Sequence, residues 1–307
     1  MNKVRTAIIG LGNIAHGYDD IPEVIRRMRY PTHVSVLRQD RRFKLVAGSD
    51  TSAKAGKAFA AKVSPAVCVY KDYREMITTE QPVLVVVATP TATHVKICKG
   101  IIALGVKNIL CEKPFSYSVR EAKSLLAIAK KKKVKLAFNY FRVYDKGYQT
   151  LIQSIKTGKF GKIKSIEVKY YKGIYNTATH LINLLEKMFG PVRTVKATGG
   201  VSGGTDPNIN FQARFKDVVA DVISYAGSKP VLEVRMTFVD KKINITRDTS
   251  KDVSLNINTS MLDVYDNIYE FIAGRKPASC SAEEALQTLK VADAAVCSLA
   301  SGREVKV

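Results

Sequence analysis

The N-terminal part of the chain contains a glycine pattern that is suited to binding a phosphate group. The apolar run Arg5 to Ile9 leads into Gly10-Leu11-Gly12-Asn13-Ile14-Ala15. In a G-x-G-x-x-A turn the first glycine permits the tight bend and the second lets the backbone approach a pyrophosphate. The alanine lets the next helix pack closely, with its N-terminus toward the negative charge. An ordinary glycine turn has the same residues, but the position after a strand favours a dinucleotide site formed by Gly10, Gly12, Asn13 and Ile14.

An acidic residue follows the second apolar run, Lys44 to Gly48. Asp50 is placed to accept hydrogen bonds from an adenosine ribose, which favours NAD over NADP. It lies forty residues after Gly10, whereas about 20 residues is the usual separation. We therefore expect an inserted segment, Gly17 to Pro31. NADP remains an alternative cofactor because Arg41, Arg42 and Lys54 lie nearby in the sequence.

Two later strands end in residues that a ligand could meet. Thr89 and Pro90 follow the run Val83 to Ala88 and are expected to flank the dinucleotide. His94, a few residues on, is either a ligand contact or a packing residue. The next strand ends in Cys111-Glu112-Lys113-Pro114. A lysine at the carboxyl edge of a sheet, beside a glutamate that can orient it and before a rigid proline, is suited to meeting a substrate hydroxyl. The alternative for Lys113 is an ordinary surface lysine.

The elements that must position these residues alternate along the first 138 residues. Short apolar runs suit strands of a parallel sheet that is covered on both faces, and helical patterns separate them. After Gly161 the apolar period becomes two, as in Ile166, Val168 and Tyr170, and similar runs continue to Val253–Ile257. The fold class is thus α/β: a doubly wound Rossmann domain over residues 1–120, and an α+β domain with a large, mostly antiparallel sheet over residues 121–307. Two helices are predicted at the end of the chain. The last of them belongs to the α+β domain, with packing against the Rossmann domain as an alternative.

Composition limits the class of protein. The chain has 49 Lys and Arg against 27 Asp and Glu, a formal net charge of +22. Such a charge attracts anions, whether nucleic acid, a membrane surface or anionic small molecules. No zinc-finger spacing or RNA-binding motif accompanies it, and no stretch reaches the ~18 apolar residues of a membrane span. Five scattered cysteines without a Cys-x-x-Cys pair indicate no metal site and a reducing, cytoplasmic compartment.

Several motifs together resemble a known superfamily over essentially the whole chain. They are GLGNIA, ATPTATH, CEKP, FNYFR and the ending CSAEEALQTLKVADAAVCSLASG. The sequence is similar to the glucose-fructose oxidoreductase, inositol dehydrogenase and rhizopine-catabolism (Gfo/Idh/MocA) oxidoreductases, which use NAD(P). The resemblance implies hydride exchange between nicotinamide and a secondary alcohol of a sugar, sugar acid or nucleotide sugar. It also implies a homodimer or homotetramer made through the open sheet face, and a catalytic or substrate-orienting role for Lys113.

The resemblance also points to a second catalytic segment. The family has an Asp, a His four residues later and an Asp three further on, and the matching residues here are Asn176, His180 and Asn183. An amide forms hydrogen bonds but holds no charge. The acid/base roles therefore fall on Lys113 and His180, with Asn176 and Asn183 positioning hydroxyls.

Other residues rank lower, and other functions stay open. Tyr140, Arg142 and Tyr175 are expected to border the substrate, with Arg142 holding an anionic group. A tyrosine-rich sheet surface is an equally good interpretation of the residues around Tyr175. Two further classes remain: a catalytically silent dinucleotide or sugar sensor, and an NAD-dependent enzyme with no net redox change, of the glycosidase or epimerase kind.

Overall fold

The structure is a computed structural model that describes residues 3–201, 204–225, 230–255 and 257–307. The chain forms two compact units. The first contains the chain up to Ser116 together with Arg120–Tyr144 and Asn258–Ala282. The second contains Tyr117–Val119, Asp145–Ile257 and Glu283–Val307. The second-to-last helix thus belongs to the first unit and the last helix to the second, which differs from a single division at residue 120.

The first unit is built on a six-stranded parallel sheet with the strand order β3-β2-β1-β4-β5-β6. The strands are β1 Val4–Ile9, β2 Phe43–Ser49, β3 Cys68–Tyr70, β4 Leu84–Val87, β5 Asn108–Cys111 and β6 Lys135–Phe138. All four residues of β4 are buried. This is the reason for its unbroken apolar sequence, since helices cover both faces of such a sheet.

Seven α-helices belong to this unit among the described residues. They are α1 Pro22–Ile25, α2 His33–Gln39, α3 Ala53–Ala60, α4 Tyr73–Glu80, α5 Thr91–Ala103, α6 Val119–Lys131 and, from near the end of the chain, α9 Ser260–Ile272. The alternation of strands and helices brings the carboxyl ends of β1, β2, β4 and β5 to one edge of the sheet, where loops carry functional residues in this fold.

The second unit is built on a seven-stranded mixed sheet with the order β12-β11-β7-β10-β9-β8-β13. Its strands are β7 Ile163–Tyr170, β8 Thr194–Val201, β9 Asn208–Arg214, β10 Val219–Ser224, β11 Glu233–Phe238, β12 Lys242–Thr246 and β13 Val305–Lys306. The pair β7 and β10 is parallel and the other pairs are antiparallel. Buried and accessible residues alternate along β9, β11 and β12, so one face of the sheet is in the core.

The helices of the second unit are α7 Lys146–Lys156, α8 Thr179–Phe189 and α10 Ala282–Ser301. A π-helical turn, Ile174–Ala178, leads directly into α8. No helix of the described residues is long and apolar enough to cross a membrane.

One predicted strand, Val253–Ile257, is wrong. Residues 253–255 form no strand, Ile257 begins a 3-10 helix, and residue 256 lies outside the described residues. The side chain of Asp252 accepts a hydrogen bond from the backbone N–H of Asn244 at 2.8 Å. A side chain thus satisfies this donor of the edge strand β12, where an added strand would otherwise pair.

Candidate active site

The glycine turn at the end of β1 is shaped by a close approach to the next strand of the sheet. Gly10 has a φ of +88°, and a Cβ at this position would lie 2.7 Å from the carbonyl carbon of Ala88 and the amide nitrogen of Thr89. Only glycine fits there without a backbone shift. A Cβ built at Gly12 meets none of the described residues within 4 Å, and Gly12 and Asn13 are exposed. The backbone at Gly12 is therefore open to a ligand, as the pyrophosphate-binding role requires.

The helix expected immediately after this turn is not present. Residues 12–16 form hydrogen-bonded turns, and a 3-10 helix, Gly17–Asp20, follows. The crossover helix is α2, which starts at His33. Its first backbone amides bond to the turn, from His33 N to Ile14 O at 3.1 Å and from Val34 N to Ala15 O at 2.9 Å. The predicted insertion thus begins and ends beside the glycine turn, because the start of α2 bonds to the turn from which the inserted segment leaves.

Closure of this segment explains the position of Asp50. Ile9 of β1 pairs with Ser49 of β2, so Asp50 follows directly beside the turn although forty residues separate it from Gly10. Its Oδ2 accepts a hydrogen bond from Leu11 N and its Oδ1 accepts one from Ser52 N, both at 2.8 Å. These two bonds orient the carboxylate, and each oxygen can still accept another hydrogen bond, for example from a hydroxyl.

His94 fastens the loop after β4 to the loop after β5. The ring is buried, and Nε2 lies 2.8 Å from Thr89 O while Nδ1 lies 2.9 Å from Pro114 O. Carbonyl oxygens only accept, so a neutral imidazole satisfies one of them at a time. Burial lowers the pKa of His94, and the two carbonyls partly offset this effect. The structure accordingly gives His94 a loop-positioning role, and the predicted direct contact of His94, Thr89 or Pro90 with a cofactor stays a prediction.

Lys113 is half-buried at the end of β5, next to a buried carboxylate. Glu112 Oε1 accepts hydrogen bonds from His33 Nε2 at 3.0 Å and from Asn139 Nδ2 at 2.6 Å. Burial raises the pKa of Glu112, but the His33 and Asn139 hydrogen bonds and the Lys113 charge outweigh it, so the pKa is lowered overall. Glu112 is therefore ionised at neutral pH and provides a negative charge beside the Lys113 ammonium.

The hydrogen bonds continue from Glu112 through His33 to α9. His33 Nδ1 lies 3.0 Å from the hydroxyl of Tyr265, which is completely buried. An ionised Glu112 only accepts, so His33 Nε2 carries the proton and, in the neutral ring, the Tyr265 hydroxyl donates to Nδ1. Burial raises the pKa of Tyr265 well above its ordinary value, which keeps it a donor. His33, Asn139 and Tyr265 were not predicted as site residues, because nothing in their sequence neighbourhoods links them to Glu112.

Tyr140 and Arg142 lie at the 3-10 helix Phe141–Val143 after β6. Both are buried, with 1% and 5% of their surface exposed, and the Arg142 guanidinium stacks on the Phe141 ring at 4.6 Å. This burial leaves little of either residue accessible from solvent. Their predicted contact with substrate stays a prediction.

In the second unit, the π-helical turn carries Asn176, and α8 carries His180 and Asn183. Asn176 is exposed, His180 is 9% exposed and Asn183 is 1% exposed. The carboxylate of Asp206 holds the start of the turn, since it accepts hydrogen bonds from Tyr175 N at 2.7 Å and Asn176 N at 3.1 Å. This capping acceptor comes from a loop thirty residues away and was not predicted.

Tyr175 packs into the same unit as Asn176. Its ring meets that of Tyr117 edge to face, with 5.3 Å between the centroids. Tyr175 is buried, and this burial raises the pKa of its hydroxyl well above the ordinary value, with Asp293 adding to the effect. The buried ring does not form part of a tyrosine-rich surface. No group of three or more His, Cys, Asp and Glu side chains in the described ranges is arranged to hold a metal ion.

Comparison with known proteins identifies the first unit. Residues 4–140 match the family model GFO_IDH_MocA, described as an oxidoreductase family with an NAD-binding Rossmann fold. The matched residues include all six strands of the parallel sheet, so the first unit is similar to the NAD-binding domain of that family. The NAD cofactor predicted from the sequence agrees with this match.

Individual oxidoreductases show the same similarity. The chain is 29% identical over 184 residues to the oxidoreductase YfiI of Bacillus subtilis, a match that covers 57% of this chain and 43% of YfiI. The chain spans about half the length of the curated relatives that it matches first. It is also 22% identical to inositol 2-dehydrogenase of Salmonella typhimurium over 340 residues, 97% of this chain and 95% of that enzyme.

A solved structure shows that the whole fold is shared. The WlbA dehydrogenase of Bordetella pertussis, in complex with NADH and UDP-GlcNAcA, superposes with a TM-score of 0.82 at 17% identity. The match covers 100% of this chain and 99% of that one. The predicted α/β fold class, with a parallel Rossmann sheet and a second, mostly antiparallel sheet, is confirmed.

Proposed function

We propose that this protein is a Gfo/Idh/MocA oxidoreductase that transfers hydride between NAD(H) and a secondary alcohol of a sugar, sugar acid or nucleotide sugar. The observation that carries the proposal is the position of a lysine at the carboxyl edge of the parallel sheet, beside an ionised carboxylate. Lys113 ends β5, beside the buried ionised Glu112, and the same sheet edge carries the open backbone of Gly12 and the oriented carboxylate of Asp50. The inositol and nucleotide-sugar relatives support the substrate class.

Each residue of the proposed site has a separate role in the reaction. Bound NAD supplies a nicotinamide that accepts or returns the hydride. The Lys113 ammonium donates a hydrogen bond to the alcohol oxygen, and the neighbouring Glu112 carboxylate provides an opposite charge. His180 takes the hydroxyl proton as the carbonyl forms and returns it in the reverse direction. Asn176 and Asn183 position hydroxyls by hydrogen bonds.

NAD is proposed as the cofactor in preference to NADP because of Asp50. A carboxylate facing the adenosine ribose accepts from its hydroxyls and repels a 2′-phosphate. Titration of the purified protein with NADH and NADPH, followed by nicotinamide fluorescence, measures both dissociation constants. Equal or tighter binding of NADPH contradicts this part of the proposal.

The activity test begins with the protein as purified. Mass spectrometry identifies the dinucleotide and any small molecule that it retains, and a screen with NAD follows NADH absorbance for myo-inositol, UDP-GlcNAcA and related alcohols. Lys113→Ala and His180→Ala are expected to reduce turnover by at least about a hundredfold, the usual contribution of an acid/base group, with NAD binding unchanged. Lys123→Ala, at an exposed lysine of α6, is the matched control. Normal turnover in either site variant contradicts the assignment.

A catalytically silent sensor is the second candidate, and the amides at Asn176 and Asn183 favour it. They replace the two carboxylates that the family has in this segment. A sensor binds NAD but turns over no alcohol or ketone in the screen, and Lys113→Ala leaves its ligand affinity intact. An NAD-dependent enzyme without net redox change is recognised in the same screen by conversion of a substrate without NADH accumulation.

Assembly and location belong to the same proposal. We propose a homodimer or homotetramer, to be checked by light scattering. The accessible sheet face carries charge pairs of Arg235 with Glu167 of the neighbouring strand at 3.1 Å and with Glu233 of its own strand at 3.0 Å. The five cysteines form no disulfide bond with one another, which fits a reducing, cytoplasmic compartment.

A further inference from the structure

A chain of hydrogen bonds connects Asn183 to Glu186 on the same helix, a half-buried residue whose carboxyl oxygen Oε1 is shielded from solvent. Asn183 Nδ2 lies 3.0 Å from the Thr288 hydroxyl of α10, and that hydroxyl lies 2.9 Å from Glu186 Oε2. Asn183 is 1% exposed and Thr288 is fully buried. Three residues from two helices therefore share one interior network, and one of them follows His180 by three positions on α8.

The ionised carboxylate determines the direction of every bond in this network. A carboxylate only accepts, so the single proton of the Thr288 hydroxyl is donated to Glu186. The Thr288 oxygen must then accept its second bond, and the Asn183 group that faces it is necessarily the NH₂ donor. The Asn183 amide is thereby fixed with Nδ2 toward α10 and with Oδ1 on the opposite side of the amide.

Protonation of Glu186 removes this constraint. A carboxylic acid has one O–H donor, which can donate to the Thr288 oxygen and so release the hydroxyl proton for Asn183 Oδ1. Each hydrogen bond of the network can then be donated from either side, and the Asn183 amide can rotate to exchange its Nδ2 and Oδ1 atoms. Burial raises the pKa of Glu186 to about 7, an effect that the Thr288 hydroxyl and the Val192 N–H oppose.

The charged groups around Glu186 come from both helices. Glu284 of α10 raises the pKa of Glu186 further, and Lys187 of α8 lowers it. Glu284 and Lys187 are themselves an ion pair, and their effects on the pKa of Glu186 are opposite in sign and smaller than that of burial. Burial is therefore the main reason that the Glu186 carboxyl group changes its charge near neutral pH.

We propose that Glu186 and Thr288 are positioning residues that set the orientation of the Asn183 amide, and that this orientation is enforced only while Glu186 is ionised. The catalytic consequence rests on the proposed function, in which Asn183 positions a substrate hydroxyl. The orientation itself does not, because it follows from the network alone.

The direct test uses the full-length protein without any substrate. The side-chain amide of Asn183 is observed by NMR after ¹⁵N labelling of asparagine, and the Glu186 carboxyl after ¹³C labelling of glutamate, from pH 5 to pH 9. We expect the Asn183 resonance to shift with the same midpoint as the Glu186 carboxyl, near pH 7. Glu186→Gln and Thr288→Val abolish that shift, and Thr288→Ser, which keeps the hydroxyl, retains it. Glu283→Gln, at an exposed residue of α10, leaves it unchanged.

An Asn183 resonance that stays constant while Glu186 titrates overturns the proposal, as does a shift that survives in Thr288→Val. The wild-type titration answers the question even if one variant fails to fold.

The second arm is kinetic and uses the alcohol that gives turnover in the screen with NAD. Thr288→Val is expected to lower kcat/KM about fivefold to tenfold, the effect of losing about one hydrogen bond, while Thr288→Ser recovers most of it. Equal loss in the Ser and Val variants indicates a packing role and overturns the positioning role. A protein with no turnover in the screen contradicts the proposed function but leaves the NMR result valid, so the two failures are distinguishable.

Discussion

Replacing Glu186 with glutamine is expected to change how the stability of the protein depends on pH. In the folded protein, burial raises the pKa of Glu186 from 4.5 to about 7. The unfolded chain keeps the ordinary value. Between these two pKa values the folded state binds more protons than the unfolded state, so the free energy of unfolding falls as pH rises. The contribution is fully present below pH 4.5 and is lost above pH 7.

The size of this effect follows from the two pKa values. A change from 4.5 to about 7 corresponds to about 3 kcal/mol of stability lost on complete ionisation, of which about 2.5 kcal/mol falls between pH 5 and pH 8. Glutamine has the shape of the glutamate and does not titrate. The free energy of unfolding of Glu186→Gln, minus that of the wild type, should therefore increase by about 2.5 kcal/mol over this range.

Urea denaturation followed by far-UV circular dichroism at pH 5, 6, 7 and 8 measures this difference. The comparison of variant and wild type at each pH cancels the titration of all other groups. Glu75→Gln, at an exposed glutamate of α4, is the matched control and should show a difference that is independent of pH. If the Glu186→Gln difference is equally flat, Glu186 is not the neutral-pH group described above, and the reasoning from its burial is refuted.

Three further variants test the Rossmann unit. Gly10→Ala places a Cβ 2.7 Å from the Ala88 carbonyl carbon at a positive φ. We expect a lower melting temperature and no NADH binding in a fluorescence titration. Normal NADH binding would show that the turn can adjust to the Cβ. Asp50→Ala is expected to weaken NADH binding by about tenfold or more, through loss of charge-assisted hydrogen bonds, while NADPH binding changes less; calorimetry measures both. Tyr265→Phe removes the donor to His33 Nδ1 and should cost about 1–3 kcal/mol in urea denaturation, the penalty of a buried unsatisfied acceptor. An unchanged stability in this last variant would show that the Tyr265 bond is not formed in solution.

Much of the fold was predictable because its signals are local. The strand predicted to end at Cys111 is present as Asn108–Cys111, and three of its four residues are buried, since buried parallel strands have apolar sequences. Strand β3, Cys68–Tyr70, was not identified as a strand. Its apolar run, Ala66 to Tyr70, is short, and two of the three strand residues are exposed. Its pairing with β2 therefore depends on the sheet rather than on burial of its own side chains.

The candidate site was predictable only in part, for a related reason. Residue type and position after a strand indicated Lys113 and Asp50, and the resemblance indicated His180. The groups that control them come from distant segments. His33 reaches Glu112 across 79 positions, and Thr288 reaches Asn183 across 105. Hydrogen bonds between such segments leave no periodic pattern in either one.

By itself, the sequence determined the alternation of strands and helices, the glycine turn and the chemical types available to the site. These features depend on which residues are buried and which backbone angles they permit, and both are largely local properties. The tertiary structure alone decided that the insertion closes at Ile14 and Ala15, that Asp50 therefore lies beside the turn, and that Glu186 controls an amide through Thr288. Each of these depends on burial or hydrogen bonding between segments that only the folded chain brings together.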